Sequence, residues 1–235
     1  MCSPSSAQNH STLLKNKYLV EGSAQCYNTV MLKTNVNYSR LIVIDNKRRF
    51  FGGNQEWYPS FWQRQAGCGP TAAATIAMYE RRRQDSDEIW TQKRLLQLML
   101  TMWDFVTPQT MGLSKVEYYA TGYERYLTNC GTSVNQSHVL NVPTAMKKRP
   151  ALSTVIDFLA KALQDDQPVA FLNWHNGGLS QLESWHWVTI AGLAAETDEA
   201  KLVVTLSDGG LRKEIDLARW LTHTTLGGGF VYFEK

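Results

Sequence analysis

The chain has 235 residues, 43% of them hydrophobic and 19% charged, which is globular composition and excludes a disordered tail or linker. A net charge of +3 excludes a protein that works through one large field of a single sign. The basic runs Lys47-Arg48-Arg49, Arg81-Arg82-Arg83 and Lys147-Lys148-Arg149 are offset by acidic residues and read as solvated faces, so no nucleic-acid partner is expected.

In chain order, residues 1–17 are mostly polar and read as loose. Residues 18–51 look strand-like: Val30-Met31-Leu32 is a short apolar segment, and Leu41-Ile42-Val43-Ile44 is a β-branched run closed by Asp45-Asn46. Gly52-Gly53-Asn54 then breaks the chain. A helix is predicted from about Cys68 to Arg83, with Pro70 suited to its first turn and an alanine-rich run behind it. Asp85 or Ser86 signals the N-cap of a second helix running to about Trp103, whose stripe Leu95, Met99 and Met102 repeats at helical spacing. Further helices are expected over 114–127 and from Ser153 or Thr154 to Gln164. After Pro168 the texture turns to strands: 169–174, 186–191 ended by Gly192, 201–206 ended by Ser207-Asp208-Gly209-Gly210, and 230–233. Helices followed by an antiparallel-looking sheet make an α+β chain.

The longest apolar stretches, such as 95–100, are far too short to span a bilayer, and 1–15 lacks the charged start and apolar core of a secretion signal. The expectation is a cytoplasmic protein with no membrane partner. The four cysteines, Cys2, Cys26, Cys68 and Cys130, stand far apart without a CxxC pair. Scattered cysteines in a chain of this size read as reduced, with the local setting of each deciding its role. His10, His138, His175, His186 and His223 show no paired helical spacing, so no metal site is expected.

The setting of Cys68 is chemical. In Gly67-Cys68-Gly69-Pro70-Thr71 the cysteine opens a helix, where the dipole and free N–H groups favour thiolate. The flanking glycines let a carbonyl approach, and the Cys68 N–H can donate to an oxyanion. A thiolate needs a base, and the base needs a partner that holds its tautomer. His186 opens an apolar strand after a glycine-containing loop, and Asp208 ends the next strand; a hairpin of that size brings the two ends together. His175 is the rival base, with no acid comparably placed after it. Trp185 and Trp187 flank His186 and read as part core, part lid. Cys2, Cys26 and Cys130 read as inert.

The segments 66–73 (AGCGPTAA), 186–192 (HWVTIAG) and 207–209 (SDG) resemble the three signature stretches of papain-like cysteine peptidases. The branch they are most similar to is the bacterial one of bacteriocin-processing, double-glycine leader peptidases. The resemblance covers roughly 52–235 and leaves 1–51 as a partly stranded extension. It implies a papain-like α+β fold, with a helical N-terminal half packed on an antiparallel sheet from the C-terminal half, and a Cys68-His186-Asp208 triad. Papain-like enzymes carry a glutamine about six residues before the cysteine as oxyanion donor, but here position 62 is Trp. Gln55, Gln63 and Gln65 are the alternatives. Gln55 is favoured because it follows the Gly52-Gly53 break and precedes a run able to loop back. The expected activity is cofactor-free hydrolysis of a peptide or isopeptide amide in a peptide or protein substrate, through a thioester. The alternatives are acyl transfer of transglutaminase-like or phytochelatin-synthase-like type, and a non-catalytic peptide-binding module.

Overall fold

The computed structural model describes residues 12–15, 30–109, 112–132, 136–196 and 201–234. Cys2, His10, Cys26 and most of the polar N-terminal stretch lie outside the described residues, as does the segment 18–29 expected to be strand-like. Thr12–Lys15, expected to be loose, is a strand, β1. It runs antiparallel to β2 (Val30–Asn35), whose edge supplies the backbone partners that an isolated segment of this length lacks.

A glycine-delimited hairpin follows, β3 (Ile42–Asp45) with β4 (Arg48–Phe51), then the short helix α1 (Phe61–Ala66). Helix α2 (Cys68–Gln84) starts where the sequence indicated and is buried from Cys68 to Glu80. Its successor α3 (Gln92–Phe105) begins five or six residues later than the Asp85 or Ser86 cap would have it. Tertiary pairing explains the delay. Ile44 N–H donates to Trp90 O at 2.9 Å and Ile44 bridges Thr91, holding that stretch extended beside the hairpin, with Trp90 buried. Thr91 then caps α3, its hydroxyl accepting from Arg94 N–H at 3.2 Å. The stripe Leu95, Met99 and Met102 is wholly buried, as its spacing requires. Helix α4 (Val116–Asn129) buries Tyr119, Tyr123 and Tyr126 on one face, and α5 (Leu152–Gln164) buries Val155, Leu159 and Leu163.

The main sheet is antiparallel. It contains β5 (Gln136–Val142), β6 (Val169–Asn173), β7 (His186–Glu196), β8 (Lys201–Asp208), β9 (Leu211–Asp216) and β10 (Gly228–Glu234) besides β1 and β2. Helix α6 (Leu217–His223) connects the last two strands. Strand β7 organises the whole. One edge pairs with β6 over its first half and with β2 over its second, while the other edge carries β8 from Thr189 to Glu196, with a bulge between Ile190 and Gly192. The expected α+β order therefore holds, with helices α2–α4 packed against a sheet drawn largely from the C-terminal half. Of residues 30–51, β2 joins that sheet by pairing directly with β7, whereas β3 and β4 form a two-stranded sheet of their own.

Two apolar clusters divide the strands by alternation. Val169, Phe171, Val188, Ile190 and Phe230 join α5 and α6, whereas Ala170, Leu172, Trp187 and Val231 join α2, α3 and α4. Each fully buried large side chain contributes roughly 1.5–3 kcal/mol. Two of the basic runs carry structural members rather than only solvated ones. Arg82 donates to the carbonyls of Ser39 and Ile42, and Arg149 donates to four backbone carbonyls, those of Pro143, Thr144, Leu221 and Thr224. No helix among the described residues is long and apolar enough to cross a membrane.

Candidate active site

Cys68 is the first residue of α2. Gly67 occupies the cap position without a side-chain cap, and the first helical bond runs from Thr71 N–H to Gly67 O at 2.9 Å. The N–H groups of Cys68 and Gly69 are therefore left outside the helical ladder at the positive end of a 17-residue helix. Cys68 is 9% exposed and lines one cavity together with His186.

His186 and Asp208 meet by strand register. Thr189 of β7 pairs with Ser207 of β8, so Asp208 stands one residue beyond that pair, diagonal to His186 on the same face. The next strand repeats the step: Leu206 pairs with Lys213 of β9, which puts Lys213 diagonal to Asp208. The three side chains form a chain of bonds. His186 Nε2 lies 2.8 Å from Asp208 Oδ1, and Lys213 Nζ donates to Asp208 Oδ2 at 2.6 Å. With Nε2 engaged by the carboxylate, Nδ1 is the ring nitrogen left for the sulfur.

The electrostatics follow from these bonds. Burial alone would lower the His186 pKa, but the hydrogen bond to Asp208 and the contact with Cys68 outweigh it and raise the value from 6.5 to about 10. Burial likewise works to raise Asp208, and is overcome by His186 and Lys213, which hold its carboxyl below the ordinary range. Asp208 stays ionised and His186 stays protonated at neutral pH.

Gln55 shares the cavity of about 230 Å³ lined by Cys68, His186, Asp208 and Lys213. Its Oε1 is buried and has no hydrogen-bond partner among the described residues. The loop that carries it is clamped from two sides. Gly53 N–H donates to Thr75 Oγ1 of α2 at 3.0 Å, and Ser207 Oγ donates to Phe51 O at 2.6 Å. Gly52 sits between them at φ +78°, where a Cβ would lie 2.1 Å from Ser207 Oγ. The other two candidate glutamines do not line this cavity. Gln63 accepts from the hydroxyl of Ser60, the cap of α1, and the exposed Gln65 lines a second pocket.

The rival base, His175, is engaged elsewhere: its Nδ1 accepts from the N–H groups of Gly177 and Thr225, and it does not line the Cys68 cavity. Cys130 is a free, exposed thiol at the end of α4. Lys213 was absent from the sequence reading. A lysine in an alternating strand is an ordinary solvent-facing residue, and only the register of β9 on β8 ties it to Asp208. Among the described residues no group of three or more His, Cys, Asp or Glu gathers as metal ligands would.

Compared with known protein families and with curated protein sequences, the chain matches none.

Proposed function

We propose that the chain is a papain-like thiol hydrolase acting on a peptide or isopeptide amide, with Cys68 as nucleophile, His186 as base and then acid, and Asp208 as the group that orients His186. The observation that carries the reading is a line of bonds from Lys213 through Asp208 to His186, which shares one cavity with a cysteine at a helix N-terminus.

The chemistry runs as follows. With His186 as imidazolium beside it, the Cys68 sulfur attacks the carbonyl carbon as thiolate and a C–S bond forms. The oxygen becomes an oxyanion, facing the Cys68 N–H and the amide of Gln55. Collapse breaks the C–N bond, and the His186 proton goes to the departing nitrogen, leaving a thioester and an amine. His186, now neutral, takes a proton from water; the hydroxyl adds to the carbonyl, and the sulfur departs as thiolate. The products are a carboxylic acid and an amine, and the enzyme regains its ion pair. Asp208 supports each step by holding the ring with its Nε2–H, and Lys213 holds the second carboxylate oxygen. A bidentate hold of this kind fixes the plane of the carboxylate, and through it the plane of the imidazole.

Turnover of a peptide library tests the reading. Cys68→Ala and His186→Ala should each abolish cleavage, and the double variant should be no worse, because the two act as one unit. Gln55→Ala should lower kcat about 10²-fold, the loss expected for one oxyanion donor. A wild-type protein that cleaves nothing, while it and Cys68→Ala bind the same peptides equally well, would make the chain a binding module. Product carrying an added amine or thiol in place of water would make it an acyltransferase.

A further inference from the structure

The cavity of about 230 Å³ that holds Cys68 and His186 reaches well behind them. Thr71, Ala72 and Thr75 of α2 line it, with Thr189 of β7 and Ser207 of β8. Thr71 and Thr75 stand three and seven residues after Cys68, on the same face of the helix. At about 1.5 Å per residue, the lining runs ~10 Å along α2 from the sulfur inward. Thr189 and Ser207 meet it as a cross-strand pair. The inner end is nearly closed to solvent, with Thr71 8% exposed and Thr189 1%.

The four hydroxyls there are of two kinds. Thr75 Oγ1 donates to Thr71 O at 2.9 Å and accepts from Gly53 N–H at 3.0 Å, and Ser207 Oγ donates to Phe51 O at 2.6 Å. These two fasten the Gly52-Gly53 loop to the helix and the sheet. Thr71 Oγ1 and Thr189 Oγ1 are buried and have no hydrogen-bond partner among the described residues, and neither has Gln55 Oε1. Valine has the shape of threonine and would line the same wall at no polar cost, whereas an unanswered buried hydroxyl costs about 1–3 kcal/mol. Three such atoms on one roomy cavity suit water, which when buried makes about three hydrogen bonds to polar groups of this kind.

We propose that the inner end of the cavity is a water chamber, and that Thr71 and Thr189 are positioning residues for hydrolysis of the thioester. The proposal rests on the reading of Cys68 as an acyl-forming nucleophile. A water donating to Gln55 Oε1 fixes the amide with its NH2 group turned to the oxyanion. A neighbouring water, held by the threonine hydroxyls, stands ready beside His186 where the amine departs. Once the amine has gone, this water gives a proton to the neutral His186 ring while its oxygen bonds to the thioester carbon. The C–S bond then breaks and the sulfur departs as thiolate. The step consumes one water and restores the imidazolium–thiolate pair. Because this water comes from inside the protein, it reaches the acyl carbon ahead of a larger nucleophile from solution, which favours hydrolysis over transfer.

Pre-steady-state cleavage of N-acetylglycine p-nitrophenyl ester tests the chamber, because the burst reports acylation and the slow phase that follows reports deacylation. Thr71→Val/Thr189→Val should keep the burst rate and slow deacylation about tenfold, the worth of one net hydrogen bond. Thr71→Ser/Thr189→Ser restores the hydroxyls and should deacylate as the wild type does. Added hydroxylamine brings its own nucleophile and should close the gap between the wild type and the valine variant. Equal slow phases in those two proteins would overturn the chamber, and so would a burst and a slow phase that fall together. Magnetic relaxation dispersion of the solvent, which counts long-lived internal waters, tests it without turnover. Cys68→Ala should hold at least one more such water than Cys68→Ala/Thr71→Val/Thr189→Val, and equal counts would overturn the chamber. A wild type that shows no burst, alongside that difference in water count, would overturn the hydrolase reading and the deacylation role with it, while the water site stands.

Discussion

Replacing Asp208 with Asn keeps the size of the side chain and an acceptor for His186, but removes the charge that holds the imidazole protonated. In the wild type, burial is outweighed by Asp208 and Cys68, and the His186 pKa stands at about 10 against 6.5 in the unfolded chain. At ~1.4 kcal/mol for each pH unit of separation, that difference is worth roughly 5 kcal/mol of stability. The sign follows from proton counting. Between pH 6.5 and 10 the folded state binds the proton and the unfolded state releases it, so this contribution is complete below 6.5 and fades as pH rises through 10. Over pH 6.5 to 9 the wild type should therefore lose roughly 3 kcal/mol through this group alone. In Asp208→Asn the ring stays buried without its carboxylate, its pKa falls, and most of that slope should vanish. The Lys213 ammonium is partly exposed and can turn to water, so it adds little to the difference. Urea unfolding of both proteins at pH 6.5, 7.5, 8.5 and 9 measures the effect, because every other titrating group is common to the pair. The variant should start less stable and the two curves should converge with rising pH. Parallel curves would show that Asp208 does not hold His186 charged, and the ion-pair reasoning would fail.

Other outcomes follow from the same geometry. At pH 6, brief iodoacetamide treatment should label the buried Cys68 ahead of the exposed Cys130, as read by peptide mass spectrometry; the reverse order would remove Cys68 as nucleophile. Lys213→Met takes away a cation that, after His186, helps keep the Asp208 carboxyl low, so the acid limb of the pH–activity profile should move up, with kcat falling more than KM rises. An unmoved profile would reduce Lys213 to a surface residue. Gly52→Ala forces a side chain onto a φ of +78° and into Ser207, and should cost more than about 2 kcal/mol of stability by thermal melting while also lowering activity through the Gln55 loop. A melt equal to wild type would mean that the loop is not clamped as described.

The parts of this protein legible in its sequence are those decided by neighbours along the chain. Helix α2 was readable because Pro70 and the alanine run act within a few residues, and the buried stripe of α3 because Leu95, Met99 and Met102 repeat at the helical period. Cys68 and Asp208 could be singled out because each sits at an element boundary marked by glycine, and His186 because it opens an apolar strand. Errors appeared where a distant segment intervened. Asp85 is a sound cap by composition, yet pairing of Ile44 with Trp90 and Thr91 kept the following residues extended and moved the start of α3 to Gln92. The strands β5 and β9 carry no strong pattern of their own, because much of what stabilises a strand is the partner across the sheet.

By itself the sequence determined, through local propensity and periodicity, the helix faces and the strand-rich C-terminal half, and it offered three candidate site residues, Cys68, His186 and Asp208. Only the tertiary structure decided which of them meet. Gln55 rather than Gln63 or Gln65 enters the cavity because the Gly52-Gly53 loop is clamped between α2 and β8. Lys213 reaches Asp208 because two register steps across β7, β8 and β9 put the three side chains on one diagonal. Trp62 from α1 and Trp174 and Trp185 from the loop between β6 and β7 line one pocket. Register and loop closure couple residues 22, 27 or more than 100 positions apart, and no local preference encodes such a meeting; the packing energy of the whole sheet does.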